Sequence, residues 1–171
     1  LDAEKHLSAL VKAFVQVHAT LPDTHLLLVG SGTDEDHLHR LVAEHRLEDS
    51  VTFTGRVSDE EIVALHKVGS VYVMPSPAEL QSIATLEAMA SGQPIVAVDA
   101  GALKELCQNE RNGYLCEKDN SDQIAAGVTK ILSDKALHDR FAAESLAIAG
   151  EHDIQTTYDR FESIYSDLIN S

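Results

Sequence analysis

The sequence predicts an α/β fold: a Rossmann-like parallel sheet with helices on both faces. Two observations carry this. Short continuous apolar runs alternate with longer stretches in which apolar residues recur at helical spacing. The runs end at glycine or proline, at Gly30-Ser31-Gly32, Gly55 and Pro75, as strands do where they turn into helices. Strands that alternate with helices are joined by crossovers, so they lie parallel and both faces of the sheet are covered.

The elements follow in order. Residues Glu4 to Thr20 place Leu7, Leu10, Val11, Phe14 and Val17 on one helical face. Leu26 to Val29 is a buried strand closed by the Gly30-Ser31-Gly32 turn. A helix from Asp34 to His45 turns Leu38, Leu41 and Val42 inward, and Val51 to Thr54 is a second strand. Ser58-Asp-Glu-Glu61 has the form of a capping box and opens a helix to about Lys67. Val71 to Met74 is a third strand. A helix from Ser82 to Ala90 is stopped by Gly92 and Pro94, and Ile95 to Val98 is a fourth strand. Ala102 to Cys107 is a short helix, Asn112-Gly113 a turn, and Tyr114 to Cys116 a fifth strand. Helices over Asp122–Leu132, Lys135–Ala149 and Ile154–Ile169 close the chain. Because the chain opens on a helix and without Met, it reads as one domain, residues 1–171, of a longer protein, with a first strand upstream.

Composition narrows the function. Hydrophobic residues make up 44% of the 171, enough for a core. The formal net charge of −15 argues against unaided nucleic-acid binding and against docking on anionic lipid. An anionic ligand therefore needs a local device, such as a helix N-terminus with one lysine. No apolar run approaches a membrane span, and the opening residues lack the pattern of a secretory signal. Cys107 and Cys116 show neither metal spacing nor a disulfide framework, which points to a reducing, cytoplasmic setting. The nine histidines, His6 among them, form no metal spacing and read as surface residues.

Chemistry gathers between Pro75 and Pro94. In an open parallel sheet, ligands bind at the carboxyl ends of the strands. There the helix starting near Ser82 offers unpaired backbone N–H groups and a positive dipole end, with Ser82 as its N-cap. Glu87 lies about 7.5 Å further along the axis, a plausible span from a diphosphate to a ribose diol. Glu79 precedes the helix, in reach of sugar hydroxyls. The bland alternatives are an exposed loop acid at Glu79, a solvated helix residue at Glu87 and a solvated lysine at Lys5. Gly30-Ser31-Gly32 alone is more readily a tight turn than a ligand contact.

The stretch Glu79-Leu-Gln-Ser-Ile-Ala-Thr-Leu-Glu87 resembles the Glu–seven residues–Glu motif of the family 4 retaining glycosyltransferases, which have the GT-B fold. Leu27-Leu-Val-Gly-Ser-Gly32, Val51-Thr-Phe-Thr-Gly55-Arg-Val57, Leu86-Glu-Ala-Met-Ala-Ser-Gly92-Gln-Pro-Ile-Val96, Asp99-Ala-Gly101 and Asn112-Gly-Tyr-Leu115 continue the resemblance in order along nearly the whole chain. It implies one half of a GT-B enzyme, its nucleotide-sugar-binding C-terminal domain. By resemblance Glu79 contacts the donor sugar hydroxyls, and the segment Leu80, Gln81, Ser82 and Ile83 meets the diphosphate and sugar. Glu87 binds the ribose, Lys5 binds the diphosphate, and Arg56 and Val57 contact the base. Lys5 and Glu79 are the catalytic candidates, with Glu79 positioning the sugar rather than attacking it. The family often has Gly-Phe-Gly where this chain has Leu80-Gln81-Ser82. Its diphosphate-binding arginine would precede Leu1.

The resemblance implies transfer of a hexosyl group from a nucleoside-diphosphate sugar to a hydroxyl acceptor, with retention and with neither metal nor cofactor. The acceptor would bind through an N-terminal domain, and the parent protein would be cytoplasmic or peripheral at the inner membrane face. Two other readings stand beside it: a different GT-B nucleotide-sugar enzyme, of epimerase or phosphorylase type, and a non-enzymatic nucleotide-binding module.

Overall fold

The computed structural model describes residues 1–169. The described strands and helices follow the predicted order: α1 (Leu7–Thr20), β1 (Leu26–Val29), α2 (Glu35–Glu44), β2 (Val51–Gly55), α3 (Asp59–Val68), β3 (Tyr72–Met74), α4 (Ile83–Ala90), β4 (Ile95–Val98), α5 (Leu103–Leu106), β5 (Gly113–Cys116), α6 (Ser121–Ser133), α7 (Lys135–Glu151) and α8 (Ile154–Ile169). The pairings between the described strands are parallel. The capping box forms as predicted: the Ser58 hydroxyl accepts from Glu61 N–H, and the Glu61 carboxylate accepts from Ser58 N–H.

Apolar patterning places helices on both faces. The residues of β4 are buried throughout and alternate between two clusters. Val96 joins Phe14 of α1, Leu38 of α2 and Ile131 of α6 on one face. Ile95 and Ala97 join Met89 of α4, Leu103 of α5 and Ile148 of α7 on the other. No residue of α8 is buried.

Two local expectations are corrected. The helix predicted from Glu4 is interrupted: Ala3–Lys5 form one 3-10 turn, and His6 takes a left-handed backbone (φ 52°) that ends it before α1 begins. The turn before β5 runs over residues 110–112, so Asn112 belongs to it and Gly113 does not. Gly113 belongs to β5, where a Cβ would fall 1.6 Å from the Ile95 carbonyl oxygen. Asn112 is buried and bonds the Leu106 carbonyl and the Gln108 N–H. The parallel sheet is in two groups, in keeping with the expectation of a missing strand. Hydrogen bonds join β1 to β2, and separately β3 to β4 to β5.

Between these two groups lies an apolar cavity of about 730 Å3, lined by Leu27 and Val29 of β1, Val71 and Val73 around β3, and Phe14 and Val17 of α1. Leu26 N–H donates to the Ser50 carbonyl and Gly30 N–H to that of Gly55, so the alternate residues Leu27 and Val29 turn their backbone groups toward the cavity. On the other side Tyr72 N–H is used by the Pro94 carbonyl, which turns Val73 the same way. The turn after β1 explains its glycines from within the chain. Gly30 has φ 108°, and a Cβ on Gly32 would lie 2.2 Å from the Leu1 nitrogen. The second glycine therefore admits the chain's own backbone.

Cys107 and Cys116 are free and buried. Burial pushes the Cys107 thiol up to about 12 and the Cys116 thiol up to about 11. A raised thiol pKa favours the neutral form in the folded state. Its stabilising effect is present below the unfolded value near 9 and is lost as pH climbs toward the folded values. Both thiols are expected to resist a thiol-exchange reagent at mildly alkaline pH until urea unfolds the protein. Rapid labelling of the folded protein contradicts this.

Candidate nucleotide-sugar site

The site forms at the carboxyl ends of the strands. Lys5 reaches it from the 3-10 turn, and its Nζ lies 2.8 Å from Glu79 Oε1 in the loop between β3 and α4. The hydrogen bond to Glu79 raises the lysine pKa and holds it as a cation. The Glu79 side chain is 12% exposed and that of Lys5 38%. The Glu79 backbone is held from behind. Its carbonyl accepts Ala102 N–H at 3.3 Å, and Gly101 (φ 51°) passes so near that a Cβ would lie 2.6 Å from the same oxygen. The turn after β4 therefore fits closely behind the Glu79 loop.

Ser82 stands at the N-cap position of α4, but not as a side-chain cap. Its backbone is left-handed (φ 36°), whereas capping side chains need extended backbone. Its hydroxyl bonds Thr85 Oγ1 at 2.7 Å instead. The N–H groups of Ile83 and Ala84, in the first turn, have no acceptor within the helix. They stand at the positive end of the helix dipole. A left-handed serine costs on the order of 1–3 kcal/mol that glycine avoids. Leu80 is almost fully exposed, Gln81 is exposed, and Ile83 is exposed beside them.

Glu87 lies one turn further along α4 and is half exposed, its Oε2 3.9 Å from His66 Nε2. Burial lowers the His66 pKa, and the Glu87 charge partly opposes this. Tyr72 connects the two acids. Its ring lies 5.9 Å from that of His66, and its phenol pKa is raised by burial and then by the charges of Glu79 and Glu87. Lys5, Glu79, the α4 N-terminus and Glu87 thus share one region. Arg56 and Val57 lie in the loop between β2 and α3. Exposed Arg56 makes its hydrogen bond to Ser31 Oγ at 3.3 Å and not to Lys5, Glu79 or Glu87. Sequence reasoning missed Tyr72 and His66, which read only as strand and helix residues. No group of three or more His, Cys, Asp or Glu residues able to hold a metal ion occurs among the described residues. No described helix is long and apolar enough to cross a membrane.

A doubly wound α/β domain with a cation, a free helix N-terminus and two carboxylates at its strand ends is built to hold a polar, phosphate-bearing ligand. The family described as glycosyl transferases group 1 matches residues 1–146, and the chain belongs to it. An uncharacterized glycosyltransferase of Haemophilus influenzae is 29% identical over 165 residues, covering 96% of this chain and 46% of that protein. The chain thus spans less than half the length of that relative. The crystal structure of Anabaena HepE in complex with UDP has a TM-score of 0.87 at 26% identity, over 98% of this chain and 46% of that one. The C-terminal domain of a glycosyl transferase group 1 family protein (LpcC) from Francisella tularensis has a TM-score of 0.80 at 25% identity, over 90% of this chain and 83% of that one.

Proposed function

We propose that this chain is the donor-binding domain of a retaining hexosyltransferase that moves a sugar from a nucleoside diphosphate to a hydroxyl acceptor. The observation that carries the reading is Lys5 held against Glu79 beside the free N-terminus of α4. In an acidic chain, these are the groups suited to a diphosphate. Glu87 grips the ribose diol, Glu79 the sugar hydroxyls, and the Arg56–Val57 loop meets the base. Leu80, Gln81, Ser82 and Ile83 line the passage between phosphate and sugar. Lys5 and the helix end stabilise charge developing on the leaving diphosphate, so that transfer needs no metal ion. The similar Anabaena protein is in complex with UDP, which supports a nucleotide-bearing donor as the ligand of this kind of domain.

The whole protein supplies the acceptor site from a further domain and works in the cytoplasm, a setting that suits two free thiols. It needs no nucleic acid and makes no membrane contact through this segment. Assaying the whole protein against a panel of nucleotide sugars, with and without a chelator, tests the proposal. Transfer that survives chelation is expected. Epimer formation, phosphorolysis or no turnover of any donor contradicts it.

The gap between β1 and β3 receives a further parallel strand of the whole protein, which joins the two sheet groups into one. It pairs with the backbone that Leu27, Val29 and Val73 turn toward the cavity. Hydrogen exchange at those three amides is expected to be fast in residues 1–171 alone and slow in the whole protein. Equal exchange in both rules the strand out.

A further inference from the structure

Two residues at the rim of the site occupy backbone conformations suited to glycine, yet neither is glycine: His6 has φ 52° and Asp119, in the turn between β5 and α6, has φ 59°. They face each other. The His6 Nδ1–H donates to Asp119 Oδ1 at 2.5 Å, between residues 113 positions apart. Non-glycine residues persist in left-handed backbone where their surroundings hold them, and such positions gather at functional sites.

What the pair holds is the turn that carries Lys5. That turn is tied elsewhere. Thr33 donates its N–H (2.9 Å) and its hydroxyl (2.8 Å) to the Asp2 carboxylate. The Ser76 hydroxyl donates to the Glu4 carbonyl at 3.4 Å. Both ties act before Lys5 in the chain. His6 to Asp119 is the tie that acts immediately after it. Without this link, the lysine turn is tied to the rest of the domain only on the side before Lys5, and an arriving diphosphate competes for the Lys5–Glu79 ion pair.

Resting on the donor-site reading above, we infer that His6 and Asp119 are positioning residues for Lys5: their link holds the lysine turn in place when the diphosphate draws Nζ away from Glu79. His6→Gly and Asp119→Gly test this, because glycine fits both backbones better than the native residue and the fold is not penalised. In the whole protein, each variant is expected to weaken binding of nucleoside diphosphate about 2- to 5-fold, the scale of one exposed ion pair, while the thermal midpoint holds or rises.

Gln16→Ala is the control. The Gln16 amide donates to Asp122 at 2.7 Å, joining α1 to α6, the helices that follow His6 and Asp119, without touching the lysine turn, and its loss should leave affinity unchanged. In a Lys5→Ala background the His6→Gly effect should vanish. Titration with uridine, guanosine and adenosine diphosphates reads all of these. Unchanged affinity in both glycine variants overturns the inference. So does a loss that persists without Lys5, or an equal loss in Gln16→Ala. Failure of the unaltered protein to bind any of the three overturns the donor-site reading, and the inference with it.

Discussion

Replacing Lys5 with alanine is expected to lower kcat/KM for the nucleotide sugar about 100- to 1,000-fold in the whole protein, the scale of removing one preorganised donor to developing negative charge. Two effects act in one direction. The ammonium that meets the diphosphate is gone, and Glu79, largely shielded at 12% exposure, loses its partner at 2.8 Å. An unpaired carboxylate then faces an anionic ligand. Stability should fall by no more than about 1–3 kcal/mol, the cost of leaving the shielded Glu79 carboxylate unpaired. Lys5 is 38% exposed, so water screens the pair, and exposed pairs contribute about 0–1 kcal/mol. Steady-state kinetics set against a thermal melt check this. A fall in kcat/KM matched by a collapse of the melting temperature makes Lys5 a structural residue. An unchanged kcat/KM removes it from the site.

Glu87→Ala is expected to weaken donor binding about 10- to 100-fold, since a carboxylate that accepts from a diol forms charge-assisted hydrogen bonds of roughly 1.5–3 kcal/mol. The loss should appear for the nucleotide sugar and for the nucleoside diphosphate alike, because the ribose is common to both. It should be small for inorganic pyrophosphate, which has no ribose. Glu87 is half exposed on the surface of α4, so its removal leaves the fold intact. Unchanged nucleotide affinity in Glu87→Ala contradicts the ribose role.

Much of the fold was legible because parallel strands announce themselves. Ile95–Val98 is buried on both faces and therefore apolar at every position, and its observed bounds equal the predicted ones. The capping box at Ser58 depends on local chemistry alone and was equally readable. Contacts between distant segments were not. The Asn112-Gly113 pair looks like a turn by composition, but the glycine is there because the Ile95 carbonyl passes too close for any side chain. The division of the sheet into two groups depends on which strands neighbour one another in space, and periodicity does not encode that.

The site divides in the same way. Glu79, Glu87 and the helix start were readable from one continuous stretch of sequence. The left-handed backbone of Ser82 was not, because serine ordinarily signals an extended N-cap. The Lys5–Glu79 pair joins residues 74 apart, and composition alone favoured a solvated lysine. His6 read as one more scattered surface histidine until the fold brought Asp119 to it.

The central claim is that the first turn of α4 and Lys5 together hold a diphosphate. Backbone amide chemical shifts of Ile83 and Ala84 test it most directly, followed while the protein is titrated with uridine, guanosine and adenosine diphosphates and with the matching nucleosides. At least one diphosphate is expected to move both resonances to saturation, with its nucleoside moving them far less, and Lys5→Ala should shift the titration to higher concentration. Diphosphate binding that leaves both amides unmoved, or no binding at millimolar concentration in the whole protein, contradicts the claim.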